Sequence, residues 1–493
     1  MEKINLPPNP SSLAESMRDI GYSIETAIAD VIDNSITAEA KTVDVRFSWD
    51  NGNPWLAIID DGYGMVKDEL ISAMRFGSSN PLEKRDKNDL GRFGLGLKTA
   101  SFSQCRCLVV ISKKENVTSG VKWDLDLIAQ SADNDWILSV LNEDEVNSIS
   151  ELFILREEYL ARDSEGTIVF WQKMDRLESG LSKQSQEIKF NESINSVRQH
   201  LELVFHRFLL PDIGKSKVNI FFNKDKIEAF DPFNSAKSVE LRKEEFLFEN
   251  ESIYIQPYIL PHHNKVTKLE WEKYAGKQGY LHEQGFYVYR NRRLIISATW
   301  FRMLRKEELT KLLRVRIDIP NSLDSFWHID VKKSHATPPV KIRDELKRII
   351  GKIEFSGKQV YKQRGQRLSS EVKFPAWERI AKDNQIYYQI NREHPLLMKY
   401  VDNLDEKQRS LFNDIISTLE SSFPRESFYS DTASTPENVA APTLDKSQIL
   451  ALIEMFLGDS QAESLKWSSI NAENLSHFFQ LCHFLCRCNI AER

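Results

Sequence analysis

No Gly-x-x-x-x-Gly-Lys-Ser/Thr occurs anywhere in the chain, so a Walker-type phosphate cradle is excluded. No apolar run reaches the length of a membrane helix, and the polar, proline-broken stretch from Met1 to Ser16 is not expected to be a signal peptide. Cysteine is scarce: five in 493 residues, an odd number without a paired framework, which suits a reducing cytoplasm. Charge is nearly balanced at −6, too little of either sign for general nucleic-acid avidity. Zinc-knuckle pairs are missing as well. His477, Cys482, His483, Cys486 and Cys488 sit among Phe478, Phe479, Leu481, Phe484 and Leu485, so the tail reads as a buried helix.

What is present is enough apolar residue, 41%, to fill sizeable cores, in a chain too long for one of them. The expected organisation is a first domain over 1–180, a second over 181–350, a helical region over 351–423, a Ser-, Thr-, Pro- and Ala-rich linker over 424–446, and a small helical segment over 447–493.

Three stretches near the start carry chemistry as a set. From Glu25 to Ala40, apolar residues at Ala27, Ile28, Val31, Ile32 and Ile36 have a helical period. Asp30 and Asn34, four apart, share one face of that helix. A carboxylate there can polarise water, and an amide oxygen can ligate magnesium. The apolar run Trp55 to Ile59 reads as a buried strand delivering Asp60 into the turn Asp60-Asp61-Gly62-Tyr63-Gly64-Met65. Such a fixed carboxylate can accept a hydrogen bond from an adenine amino group, and the glycines allow close backbone approach. Gly91-Arg92-Phe93-Gly94-Leu95-Gly96-Leu97-Lys98 then opens a helix, where free N–H groups favour phosphate and Lys98 adds a charge. The polar, charged stretch from Gly77, Ser78 and Ser79 to Asp89 reads as a lid.

Together these resemble the ATP site of the GHKL superfamily, which includes the gyrase B subunit, MutL, MORC proteins and a heat-shock chaperone family. The resemblance implies an α/β fold of the α+β sandwich kind: a Bergerat ATP-binding fold, an antiparallel-rich sheet with helices on one face, followed by a transducer-like βαβ domain and a helical C-terminal region. It implies ATP and Mg as ligands, with Asp30 as general base and Asn34 as Mg ligand. Asp60 would read adenine beside Gly62, Gly64 and Met65. Ser78, Ser79, Gly91, Phe93, Gly94, Leu95, Gly96, Leu97 and Lys98 would surround the phosphates, and Thr167, before the strand-like Ile168 to Trp171, would lie near the adenine. One departure stands out: Asp30 is about 1.5 Å shorter than the customary Glu, which implies slow turnover or a helix closer to the nucleotide.

Downstream, Lys217 to Asn223 and the pair Gln284 to Arg290 and Arg293 to Ile295 read as strands, the latter two joined by a basic turn. Arg314 to Ile319 alternates as a half-buried strand should, and Ile329 to Ser334 carries two lysines into a loop. This order resembles the second domain of MutL and MORC, closest to prokaryotic MORC/MutL-like ATPases. It implies that Lys332 or Lys333 reaches the γ-phosphate. It also implies an ATP-dependent homodimer acting with a nuclease or helicase partner in a restriction-like or phage-defence system, with no membrane contact. From Arg290 to Arg367 there are 20 Lys and Arg against 8 Asp and Glu, a surplus of 12 that leaves the rest of the −6 chain at −18. That local excess, with Arg290, Arg292 and Arg293 at its head, is the footprint of double-stranded DNA binding. The rival expectations are a chaperone-like ATPase, or an ATP-binding scaffold with little turnover, neither touching DNA.

Overall fold

The computed structural model describes residues 8–77, 96–131, 135–160, 165–176, 182–276, 278–324, 326–327, 337–353, 376–382, 385–425 and 427–428, with residues 3 and 447. The chain divides into two compact units: residues 1–353 without 263–267 and 307–310, and those two segments with 354–493. Among the described residues no helix is long and apolar enough to cross a membrane.

The first unit is built around a mixed sheet of β1 (Thr42–Ser48), β2 (Trp55–Asp60), β3 (Cys107–Lys114), β4 (Val117–Asp124), β5 (Ser139–Leu141), β6 (Gly166–Gln172), β7 (Asn219–Phe222) and β8 (Asp225–Lys226), ordered β5-β4-β3-β6-β2-β1-β7-β8. Every neighbouring pair is antiparallel except β1 and β7. Side chains alternate faces along a strand, and here the two faces feed two cores. Leu56, Ile58, Leu108, Val110, Val169 and Trp171 point into the larger core, while Ala57, Ile59, Val109, Ile111, Ile168 and Phe170 enter a smaller one.

The larger core is covered by α1 (Pro10–Arg18), α2 (Ile24–Thr37), α4 (Gly96–Gln104) and α8 (Lys183–Val204), with α3 (Lys67–Met74) and α5 (Leu125–Gln130) at its side. The smaller core takes apolar residues from α6 (Glu143–Asn147) and α7 (Ser150–Leu155), so the helices are concentrated on one face without being confined to it. The packing of this core runs across the boundary expected at residue 180. Phe190, Ile194, Val197 and Leu201 of α8 lie in the first core, and β7 extends the first sheet through residue 222. A polar helix start and a Ser-rich approach disguise a segment whose apolar stripe belongs to the preceding sheet.

After α9 (His206–Leu209), a second sheet comprises β9 (Val239–Glu240), β10 (Glu244–Phe248), β11 (Glu251–Ile259), β12 (Gly285–Arg290), β13 (Arg293–Thr299) and β14 (Leu313–Ile319). Its main path runs β10-β11-β14-β12-β13, with β12 and β14 parallel. Asn291 and Arg292 turn the β12–β13 hairpin at φ 47° and 73°, the paired positive values of a tight hairpin turn. Two short helices, α10 (Lys268–Ala275) and α11 (Tyr280–Glu283), and a longer one, α12 (residues 340–353), complete this part.

The second unit contains an antiparallel pair, β15 (Trp377–Lys382) and β16 (Gln385–Ile390), then α13 (Pro395–Asp402) and α14 (Glu406–Ser421). The region expected to be helical therefore begins with a hairpin. Its β-branched and aromatic residues, Ile386, Tyr387 and Tyr388 among them, prefer extended backbone. The putting-together of linker and tail, residues 429–446 and 448–493, lies outside the described residues.

Candidate ATP site

The floor of the site is a polar row on the helix-covered face of three adjacent strands. Asp60 at the end of β2 pairs in register with Thr167 on β6, which pairs with Ser112 on β3. By alternation these three continue the apolar files Leu56–Ile58, Val169–Trp171 and Leu108–Val110. A polar group in a core position must be hydrogen-bonded, and each of these is. Ser112 and Thr167 hydroxyls lie 2.9 Å apart, and Ser112 Oγ also accepts from the Met65 amide at 2.8 Å.

Asp60 is held by both carboxylate oxygens. Ser35 Oγ donates to Oδ2 at 2.7 Å, and the Gly62 amide donates to Oδ1 at 3.0 Å. Burial pushes this carboxyl up to about 6, against the lowering effect of those two bonds and one from the Thr167 backbone. Its neighbour Asp61 does something different: it is exposed, and its Oδ1 accepts from the amides of Lys41 and Thr42 at 2.7 and 2.8 Å, fixing the entry to β1. The turn between fits only glycine at two places. A Cβ on Gly62 would fall 2.8 Å from the Ala38 side chain and carbonyl, and one on Gly64, at φ +61°, would fall 2.1 Å from the Lys113 carbonyl.

The wall is α2. Ser23 caps its start by accepting from the Thr26 amide, and Glu39 ends it in the left-handed region at φ 60° while the Ala40 amide returns to the Ser35 carbonyl at 3.0 Å. Ala27, Ile28, Val31 and Ile32 anchor it in the core. Asp30 is buried and its Oδ2 accepts from the Tyr22 hydroxyl at 2.9 Å; Asn34, one turn on, is exposed. Asp33 faces elsewhere, toward Arg293.

Gly96 opens α4, with Leu97 half-buried behind it. Lys98 was expected at the phosphates, but the structure puts its ammonium on the last carbonyls around α3, Ala73 at 2.7 Å and Arg75 at 2.9 Å. Burial brings Lys98 down to about 8. A cation suits the negative end of a helix; this is the place where the lysine sits in the described conformation. Ser78, Ser79, Gly91, Phe93, Gly94 and Leu95 lie outside the described residues, as do Lys332 and Lys333.

The three arginines expected to face nucleic acid all make contacts within the protein. Arg290 is buried and paired with Asp324 at 2.8 Å, and Arg293 is buried and paired with Asp33 at 3.1 Å. Arg292, half-buried at the hairpin turn, donates to the carbonyls of Arg207 and Ser216 and lies over the Phe208 ring. A count of charges along the sequence carries no information about which side chains turn inward. Sequence reasoning also missed Ser35, Ser112 and Tyr22. Ser35 follows Asn34 directly and could have been found from the helix face opposite it; Ser112 and Tyr22 are placed by strand register and by the chain reversal before α2, which leave no motif.

Residues 22–154 match the family of histidine kinase-, DNA gyrase B-, and HSP90-like ATPases. That match covers the segment holding α2, β1, β2 and β3 and is to a GHKL ATPase domain. The relatives it resembles carry MORC names. ATPase morc-1 of Caenorhabditis elegans is 32% identical over 96 residues, 20% of this chain and 11% of that protein. ATPase MORC2B of Mus musculus is 33% identical over 98 residues, 19% and 9% of the two chains. MORC family CW-type zinc finger protein 1 of Mus musculus is 37% identical over 93 residues, 18% and 10%. The match thus spans about a tenth of the length of these curated relatives.

Proposed function

We propose that the chain is a Mg-dependent, ATP-hydrolysing conformational switch of MORC/MutL type, working with protein partners. The observation that carries this reading is the bond from Ser35 on α2, the helix bearing Asp30 and Asn34, to the buried, doubly held Asp60 on β2. Asp60 would read the adenine amino group, with Thr167 and the Gly62–Gly64 turn bordering the base. Asn34, exposed on the same helix as the base, would offer its hard amide oxygen to a magnesium ion, which would supply charge neutralisation for the phosphates. Asp30 would take the proton of the attacking water as the terminal phosphate bond breaks and ADP leaves.

The test is a pair of measurements on the full chain. Asp30→Asn is expected to bind ATP as wild type does while turnover drops by about 10²–10⁴-fold, the scale of a general base. Size-exclusion profiles should differ between ADP and a non-hydrolysable ATP analogue. Superimposable profiles would remove the switch, and full turnover in Asp30→Asn would move the base.

In this reading the switch acts on double-stranded DNA in a restriction-like or phage-defence system, through the exposed part of the basic stretch, such as Arg302 and Arg305. A second reading, a switch or scaffold without DNA contact, is favoured by one observation: Arg290 and Arg293 are spent on buried ion pairs.

A further inference from the structure

We infer that Tyr22 is a positioning residue for the hydrolytic step, fixing the Asp30 carboxylate through its hydroxyl; this rests on the reading of Asp30 as general base. Asp30 is reached from an unexpected direction. Tyr22 precedes α2, two residues before its first turn, yet its hydroxyl lies 2.9 Å from Asp30 Oδ2, eight residues along the chain.

Several features hold it there. Gly21, at φ 86°, reverses the chain after α1 and presents Tyr22 inward. The Tyr22 carbonyl accepts from Gln104 Nε2 at 3.3 Å, tying the backbone to the end of α4, and its side chain is buried in the larger core. A phenol supplied by a packed ring costs little conformational freedom when it donates, because only two torsions are fixed.

The chemical need is specific to this chain. An Asp in place of a longer acid has fewer torsions to search with, so its plane must be set correctly by its surroundings. The bond to Tyr22 sets the plane in which the carboxylate would accept the proton of the attacking water while the Pγ–O bond to ADP breaks. A misplacement of about 1 Å in such a group can cost on the order of 10²-fold in rate, so a single orienting bond is worth building.

The test uses the full chain and steady-state ATP hydrolysis. Tyr22→Phe keeps the ring and removes only the hydroxyl. It should lower kcat about tenfold, the equivalent of one hydrogen bond to a charged group, and leave KM and ATP affinity unchanged. A residue that merely filled space would leave kcat unchanged as well. Placed on top of Asp30→Asn, Tyr22→Phe should cost nothing further, because the group it positions is already gone. An unchanged or raised kcat in Tyr22→Phe overturns the inference, and so does a tenfold loss that persists in the Asp30→Asn background. If Asp30→Asn is impaired and Tyr22→Phe is not, only the Tyr22 inference falls. If Asp30→Asn hydrolyses normally, the base assignment itself falls.

Discussion

At the scale of single residues, burying Asp60 carries a cost that depends on pH. A carboxyl pushed up to about 6 by burial takes a proton more readily in the folded protein than in the unfolded chain, whose value is near 3.8. Between those values the folded state binds the extra proton, so this group's contribution to stability is fully present below about 4 and is lost as pH rises through about 6. At neutral pH the site holds a charged acceptor at a cost to the fold, and under the proposed function an adenine amino donor would make use of it. Affinity for ADP should therefore rise as pH climbs from 5.5 to 7.5, by more than titration of the nucleotide's own phosphates explains. Asp60→Asn should lower affinity about 10–100-fold, the range of a hydrogen bond to a charged group, and should lose that extra pH dependence. Calorimetry on both proteins at three pH values checks this, the difference between them isolating the carboxylate; parallel curves would remove Asp60 as the adenine reader. Asp60 was legible in the sequence because a strand-end Asp followed by two glycines is a local pattern. Ser112 was not, because only the register of β3 against β6 brings it beside Thr167.

At the scale of elements, α2 is held from two sides. Its apolar stripe packs on the first sheet, and Asp33 reaches the second sheet through Arg293 Nε at 3.1 and 3.3 Å, 260 residues away in sequence. Both side chains are nearly sealed from water, 1% and 5% exposed. The Arg293 guanidinium also lies over the Phe205 ring and, with burial, holds the nearby His200 down to about 4. Removing one member of such a pair strands the other charge, at a cost of about 3–5 kcal/mol, whereas replacing both by apolar groups of similar volume is often neutral. Arg293→Ala should therefore lower the urea midpoint markedly, and the double variant Asp33→Leu with Arg293→Met should recover most of it. An Arg293→Ala protein as stable as wild type would show that the pair carries little. The helix itself, the strand ending in Asp60 and the β12–β13 hairpin were all legible, because period and turn residues are local. The β15–β16 hairpin was not foreseen: Trp377 and the tyrosines of β16 read equally well as part of a helical region until their pairing is seen.

At the scale of the whole molecule, the family match covers residues 22–154, and the basic stretch lies beyond it. Charge made the sequence look like a DNA-binding protein, and burial then reassigned its leading arginines. Arg302 and Arg305 are exposed, and so is Lys347 on α12. Phosphate contacts release counterions, so duplex binding through such side chains weakens steeply with salt. Reversing Arg302 and Arg305 to Glu should cut duplex retention at 50 mM salt and flatten its salt dependence, while ATP turnover without DNA stays at the wild-type rate. Lys332 and Lys333 belong to a separate test. A lysine that senses the γ-phosphate makes a contact in the ATP state that ADP cannot provide, and only such a difference can shift a conformational equilibrium. Replacing both by Ala should leave ADP affinity intact and abolish the difference between size-exclusion profiles in ADP and the ATP analogue. The two results are independent. Loss of the profile difference with duplex retention unchanged would locate the switch in the lysines and the DNA contact elsewhere. Absence of any duplex retention in the wild-type protein at 50 mM salt would instead establish the reading in which the switch works without DNA.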